Sequence, residues 1–183
     1  MFSNINILEE PFYKNIADKI IKKVNLKKNQ NIFLTGGSTF SKIYPYIQNH
    51  LPVSNRYYLT DERVNIDIKK TNYFNIKKNL IKKNNVNNFY FINHSPKRIN
   101  QECKRYSKII PNKIDLILLS LGVDGHVASI FKKKQKRDKS IQKIISSKKN
   151  NIRDSRISVN FPVINSAKNI FLVLDGKKKI EIF

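Results

Sequence analysis

Cysteine is almost absent: Cys103 stands alone among 183 residues. A disulfide framework needs pairs, and the common structural zinc sites need two or more thiolates, so both are excluded. No apolar run approaches the roughly 20 residues that span a bilayer as a helix. The opening Met1-Phe2-Ser3-Asn4 lacks a basic region followed by an apolar stretch, so no secretory leader is expected. Acidic residues are scarce as well, 13 Asp+Glu against 36 Lys+Arg. Hydrophobic residues make up 40% of the chain, enough to bury a core at this length. The expectation is one α/β domain over residues 1–183 of a reduced, cytoplasmic, soluble and monomeric protein, with no membrane partner.

The formal net charge of +23 raises the question of nucleic acid. Asparagine and isoleucine are as prominent as lysine, yet neither carries charge. A coding bias toward AT-rich codons explains the three together, whereas selection for phosphate binding explains only the lysines. Lysine also outnumbers arginine about four to one, the reverse of what base and phosphate readers favour. No specific nucleic-acid partner is therefore expected. Tyr57, Tyr58, Tyr73, Phe89, Tyr90 and Phe91 fall at strand or helix-core positions rather than on a basic face.

Apolar residues at Phe12, Ile16, Ile20, Ile21 and Val24 have helical spacing within segment 8–24. Asn31 to Thr35 reads as a buried strand closed by Gly36-Gly37, followed by a helix that Ser38 and Thr39 can cap and that Pro45 should shorten or kink. The alternation continues with a strand at 56–60, a helix at 73–81, a strand at 89–92 and a helix at 97–110. Ile114 to Leu121 is the strongest strand, apolar on both faces as at the centre of a parallel sheet. The lysine-rich stretch 132–150 is expected to be an exposed, solvated loop with a short helix, outside the catalytic machinery. Strands follow at 156–161 and 169–174, then Gly176 and a charged helix start. Strands alternating with helices imply a mostly parallel, doubly covered α/β sheet.

In such sheets ligands bind at the carboxyl ends of the strands. Thr35-Gly36-Gly37-Ser38-Thr39 follows the first strand and offers a close backbone approach and a helix N-terminus to a phosphate. Asp61-Glu62-Arg63 follows the second, with Asp61 a candidate for substrate orientation and Arg63 for contact with an anion or oxyanion. Gly122-Val123-Asp124-Gly125-His126 follows the central strand. Of the three histidines, His50 and His94 lie in polar, Asn-rich surroundings, while His126 stands where a general base belongs.

These segments together resemble the 6-phosphogluconolactonase family: Leu34 to Thr39; Leu59 to Val64 with Thr71-Asn72-Tyr73; Gly122 to Phe131; Arg156 to Asn165; and Gly176 to Lys179. They stand in the right order over essentially the whole chain. The family shares a Rossmann-like fold with glucosamine-6-phosphate deaminases, ribose-5-phosphate isomerases and CoA transferases. Ala128-Ser129-Ile130-Phe131 after the histidine, and Arg63 where deaminases carry a tyrosine, point to the lactonase branch. The resemblance implies hydrolysis of 6-phospho-D-glucono-1,5-lactone to 6-phosphogluconate in the oxidative pentose phosphate pathway, without metal or organic cofactor. It also implies roles: His126 as base, Asp124 orienting it, Arg63 and Asp61 at the reacting end, and Gly37, Ser38, Thr39, Arg156 and Lys179 around the 6-phosphate. The family continues beyond the position matching Phe183, so the chain is expected to be short at its C-terminal end. A related deaminase or isomerase, a basic nucleic-acid-binding protein and an inactive sugar-phosphate binder are the alternatives.

Overall fold

The computed structural model describes Leu8 and residues 10–64, 66–131, 142–148 and 155–183. The first helix, α1 (Phe12–Val24), buries Ile16, Ala17, Ile20 and Val24, the stripe its spacing dictates. Strand β1 (Asn31–Leu34) leads into α2 (Ser38–Ile47), and α1 packs against α2. Pro45 does not break α2; it lies near the C-terminal end, and the helix stops two residues later at Ile47. After β2 (Arg56–Leu59) the chain forms a short strand, β3 (Asp61–Arg63). The helix α3 (Asn72–Ile76) is prolonged by a wider turn over Lys77–Ile81 and a tight one over Lys82–Asn84, which Asn85 ends in the left-handed region at φ 52°.

Next come β4 (Phe89–Tyr90), α4 (Ile99–Ile109), β5 (Leu116–Ser120), β6 (Ile144–Lys148), β7 (Ser155–Val159), α5 (Phe161–Asn165), β8 (Ile170–Val173) and α6 (Lys177–Ile182). The main sheet has the order β4-β2-β1-β5-β8 and is parallel throughout. Leu116 to Leu119 of β5 are buried between β1 and β8, as an apolar run at the sheet centre requires. Phe33, Tyr58 and Tyr90 stand in register and stack at 5.0 and 4.8 Å, a core aromatic row across β1, β2 and β4. Phe91 departs from the expected core placement: it is 40% exposed and rests against Tyr73 at 4.4 Å.

A second sheet, antiparallel and ordered β3-β7-β6, is not foreshadowed by the sequence. Asp-Glu-Arg has little intrinsic strand preference, and β3 exists because β7 pairs with it from far along the chain. The expectation of a solvated loop and short helix over 132–150 is corrected in part. Ile144 to Lys148 is a strand, and Ile144 and Ile145 are buried at 5% and 2% exposure. Residues 132–141 and 149–150 lie outside the described residues. Thr60 joins the sheets: its N–H donates to Leu34 at 2.9 Å and its carbonyl accepts from Val159 at 2.8 Å. No described helix is long and apolar enough to cross a membrane.

Candidate functional site

The strand order turns back between β1 and β5, which makes the carboxyl edge there the place for a ligand. The loops after β2, β1, β5 and β8 all open on that edge because the four strands are parallel. After β1, Gly36 is required by crowding: a Cβ there would lie 2.5 Å from the Asn72 Cβ and 2.6 Å from its Cα. The Gly36 carbonyl accepts from Asn75 Nδ2 at 2.8 Å, which ties α3 to this loop. A Cβ on Gly37 would come within 3.4 Å of Ser120 Oγ, so the loops after β1 and β5 approach closely. Gly37 caps α2 without a side-chain bond, leaving the first N–H groups of the helix open to an anion. Ser38 is exposed there and Thr39 is buried.

The turn after β5 is closed by Gly122 N–H to the His126 carbonyl at 2.8 Å and Gly125 N–H to the Gly122 carbonyl at 3.0 Å. Gly125 sits at φ 78°, which favours glycine. The His126 ring covers Gly122 so closely that a Cβ there would overlap it. His126 Nδ1 donates to Asp124 Oδ1. Burial pushes the Asp124 carboxyl up, but the hydrogen bond and charge of His126 push it further down, below its ordinary value. An ionised Asp124 is an acceptor only, so in the neutral imidazole the proton sits on Nδ1 and Nε2 carries the lone pair a base needs. His126 also packs against Phe131, ring centroids 4.9 Å apart. His50 is exposed and His94 half-buried, both away from this turn in sequence.

Three serines to which the sequence assigned no role hold this turn in place. Ser129 N–H donates to Ser158 Oγ at 3.1 Å, Ser129 Oγ donates to Asp61 Oδ2 at 2.6 Å, and Ser147 Oγ donates to the Ser129 carbonyl at 2.8 Å. Each strand of the second sheet thus supplies one tether to the His126 loop. Between His126 and Ser129, Ala128 adopts φ 52°, unusual for a residue with a Cβ. Polar residues within otherwise apolar strands, as at Ser158, were the available signal.

Asp61 is only 5% exposed; Thr60 Oγ1 donates to its Oδ1 at 3.1 Å and Ser129 to its Oδ2. Asp61, expected to orient substrate, is in this structure bonded at both carboxylate oxygens and tethers the His126 loop through Ser129. Asp61→Ala should lower unfolding free energy by about 1–3 kcal/mol, the cost of leaving buried hydroxyls unpaired, as read from denaturant melts. Glu62, fully buried, accepts from Arg63 N–H at 2.7 Å, Asn72 N–H at 2.8 Å and Tyr73 N–H at 2.7 Å. Burial pushes its carboxyl up to about 7, against these three donors. The fold thus favours the neutral acid, a contribution full below pH 4.5 and lost as pH rises through about 7. Wild-type stability should fall relative to Glu62→Gln across that window by about 3 kcal/mol at most, measured by urea unfolding at each end.

Arg63 is exposed, and its Nη1 donates to the Lys70 carbonyl at 3.1 Å. It stands directly opposite Arg156 in the β3–β7 register. Residues directly opposite in an antiparallel pair share a face, so both arginines stand on the same face of the second sheet. Lys179 reaches across from α6 and its Nζ donates to Thr39 Oγ1 at 2.8 Å. Of the expected phosphate group, Lys179 and Thr39 are joined directly, with Gly37 and Ser38 beside Thr39, while Arg156 is joined to Arg63 by strand pairing. Among the described residues, no cluster of three or more His, Cys, Asp or Glu is placed to hold a metal ion.

With 28% identity over 96% of this chain and 84% of its own length, the 6-phosphogluconolactonase of Thermotoga maritima is similar in sequence. A crystal structure of 6-phosphogluconolactonase from Thermotoga maritima is similar in fold, with a TM-score of 0.84 at 24% identity, over 96% of this chain and 85% of that one. The 6-phosphogluconolactonase of Leishmania guyanensis follows at 0.82 and 18% identity, over 100% and 85%. The profile of the glucosamine-6-phosphate isomerases/6-phosphogluconolactonase family matches residues 6–183. A match over nearly the whole chain, with the glycine, acid and histidine motifs on one sheet edge, makes this chain a member of the glucosamine-6-phosphate isomerase/6-phosphogluconolactonase family.

Proposed function

We propose that the protein hydrolyses 6-phospho-D-glucono-1,5-lactone to 6-phospho-D-gluconate, the lactonase step of the oxidative pentose phosphate pathway. The observation that carries this is the His126–Asp124 pair on the turn after β5, with Nε2 left as base. Nε2 takes a proton from water as its oxygen attacks the lactone carbonyl carbon. The oxyanion of the tetrahedral intermediate faces the Arg63 guanidinium. When the ring C–O bond breaks, the leaving ring oxygen receives the proton back from His126, so the enzyme ends unchanged. Gly37, Ser38, Thr39 and Lys179 hold the 6-phosphate, with Arg156 on the Arg63 side. None of these steps calls for a metal or organic cofactor. In this reading residues 1–183 act as one sugar-phosphate-binding domain of a cytoplasmic, monomeric protein.

The family includes sugar-phosphate isomerases, so the product decides. Purified protein should release acid from the phosphorylated lactone and no ammonia from glucosamine 6-phosphate. Ammonia release without lactone hydrolysis would replace this reading with deamination.

A further inference from the structure

Helix α6 carries the lysine that meets Thr39, yet none of its side chains is buried, and Lys179 is its only residue that is not exposed. Hydrophobic packing of α6 therefore does not fix the position of Lys179. The turn just before it is fixed by polar contacts instead. Tyr13 on α1 donates its hydroxyl to Asp175 Oδ2 at 2.9 Å. Lys42 on α2 donates to the same oxygen at 3.2 Å and to the Tyr13 hydroxyl oxygen at 2.7 Å, with its ammonium 5.1 Å from the Tyr13 ring centroid. Asp175 is 23% exposed, so this three-way cluster is partly shielded. Thr39 and Lys42 lie three residues apart, on one face of α2. Asp175 and Lys179 lie four apart across Gly176, which takes φ 96°. Two neighbouring points of α2 thus grip two points of the last segment.

We propose that Asp175, clamped by Tyr13 and Lys42, is a positioning residue for the phosphate subsite, fixing the turn from which Lys179 reaches Thr39. This rests on the phosphate role of Lys179 proposed above. Asp175 touches no substrate atom; its effect passes through Lys179. Loss of the clamp frees α6 and lowers the fraction of molecules with Lys179 in place. Binding of the phosphorylated lactone weakens accordingly, and the chemistry at His126 does not change.

The test compares Asp175→Ala, Tyr13→Phe, Lys179→Ala and the Asp175→Ala/Lys179→Ala double variant. Steady-state kinetics are measured on the phosphorylated lactone and on unphosphorylated glucono-1,5-lactone, alongside thermal melts. Asp175→Ala should raise KM for the phosphorylated lactone about three- to tenfold, the scale of one partly exposed polar cluster, with kcat within about twofold. Its hydrolysis of the unphosphorylated lactone should be unchanged, and the double variant should match Lys179→Ala. Tyr13→Phe keeps the ring and the Lys42–Asp175 pair, so it should shift KM the same way by about twofold, even if Asp175→Ala folds poorly. A raised KM in Lys179→Ala with wild-type KM in both Asp175→Ala and Tyr13→Phe would overturn the clamp and leave the phosphate subsite standing. Additive effects in the double variant, or equal damage to both lactones, would also overturn it. An unchanged KM in Lys179→Ala would remove the phosphate reading, and the clamp with it.

Discussion

His126→Ala should lower kcat for the phosphorylated lactone by about 100-fold or more, the usual scale for loss of a general base. KM should move much less, because the imidazole is placed for the water and not for the phosphate. The fold should survive. The side chain is 26% exposed, and the turn is held by the Gly122–His126 and Gly122–Gly125 backbone bonds and by the tethers on Ser129, none of which uses the imidazole. Thermal melts of the variant should therefore lie close to wild type. Near-wild-type hydrolysis by His126→Ala would remove the imidazole from the mechanism.

Lys179→Ala and Arg156→Ala should each raise KM for the phosphorylated lactone by about tenfold to a hundredfold, the worth of a hydrogen bond to a charged group. Both should barely change the slow hydrolysis of unphosphorylated gluconolactone. The two cations reach the site from different directions: Lys179 is bonded to Thr39 at the start of α2, while Arg156 stands on β7 opposite Arg63. Selective loss of the phosphorylated substrate in both variants places both groups on one phosphate. Equal damage to both lactones by Arg156→Ala would assign that guanidinium to the lactone carbonyl alongside Arg63.

The parallel sheet and its helices were legible because their signals are local. Isoleucine spacing in α1 and the unbroken apolar run of β5 need no knowledge of distant residues. The glycine pairs and His126 were legible because turns at strand ends demand particular residue types. The second sheet was not. Its strand β3 is three charged residues whose extended form is imposed by pairing with β7, almost a hundred residues later. The serines of β6 looked like part of a solvated lysine-rich stretch, although Ser147 holds the His126 loop. Asp61 was recognised as special for its position, but its partner Ser129 lies 68 residues away, and only the fold brings the two together. Glu62 was passed over for the same reason, since its three backbone donors come partly from the start of α3. The clamp on Asp175 joins three elements with no shared motif.

The most direct measurement is the decay of 6-phospho-D-glucono-1,5-lactone, generated in situ, in the presence of the purified protein, of His126→Ala, and of buffer alone. The wild-type chain should hydrolyse the lactone well above the spontaneous rate, and His126→Ala should fall back toward that background. Wild-type decay no faster than buffer would contradict the assignment of lactonase chemistry to this site.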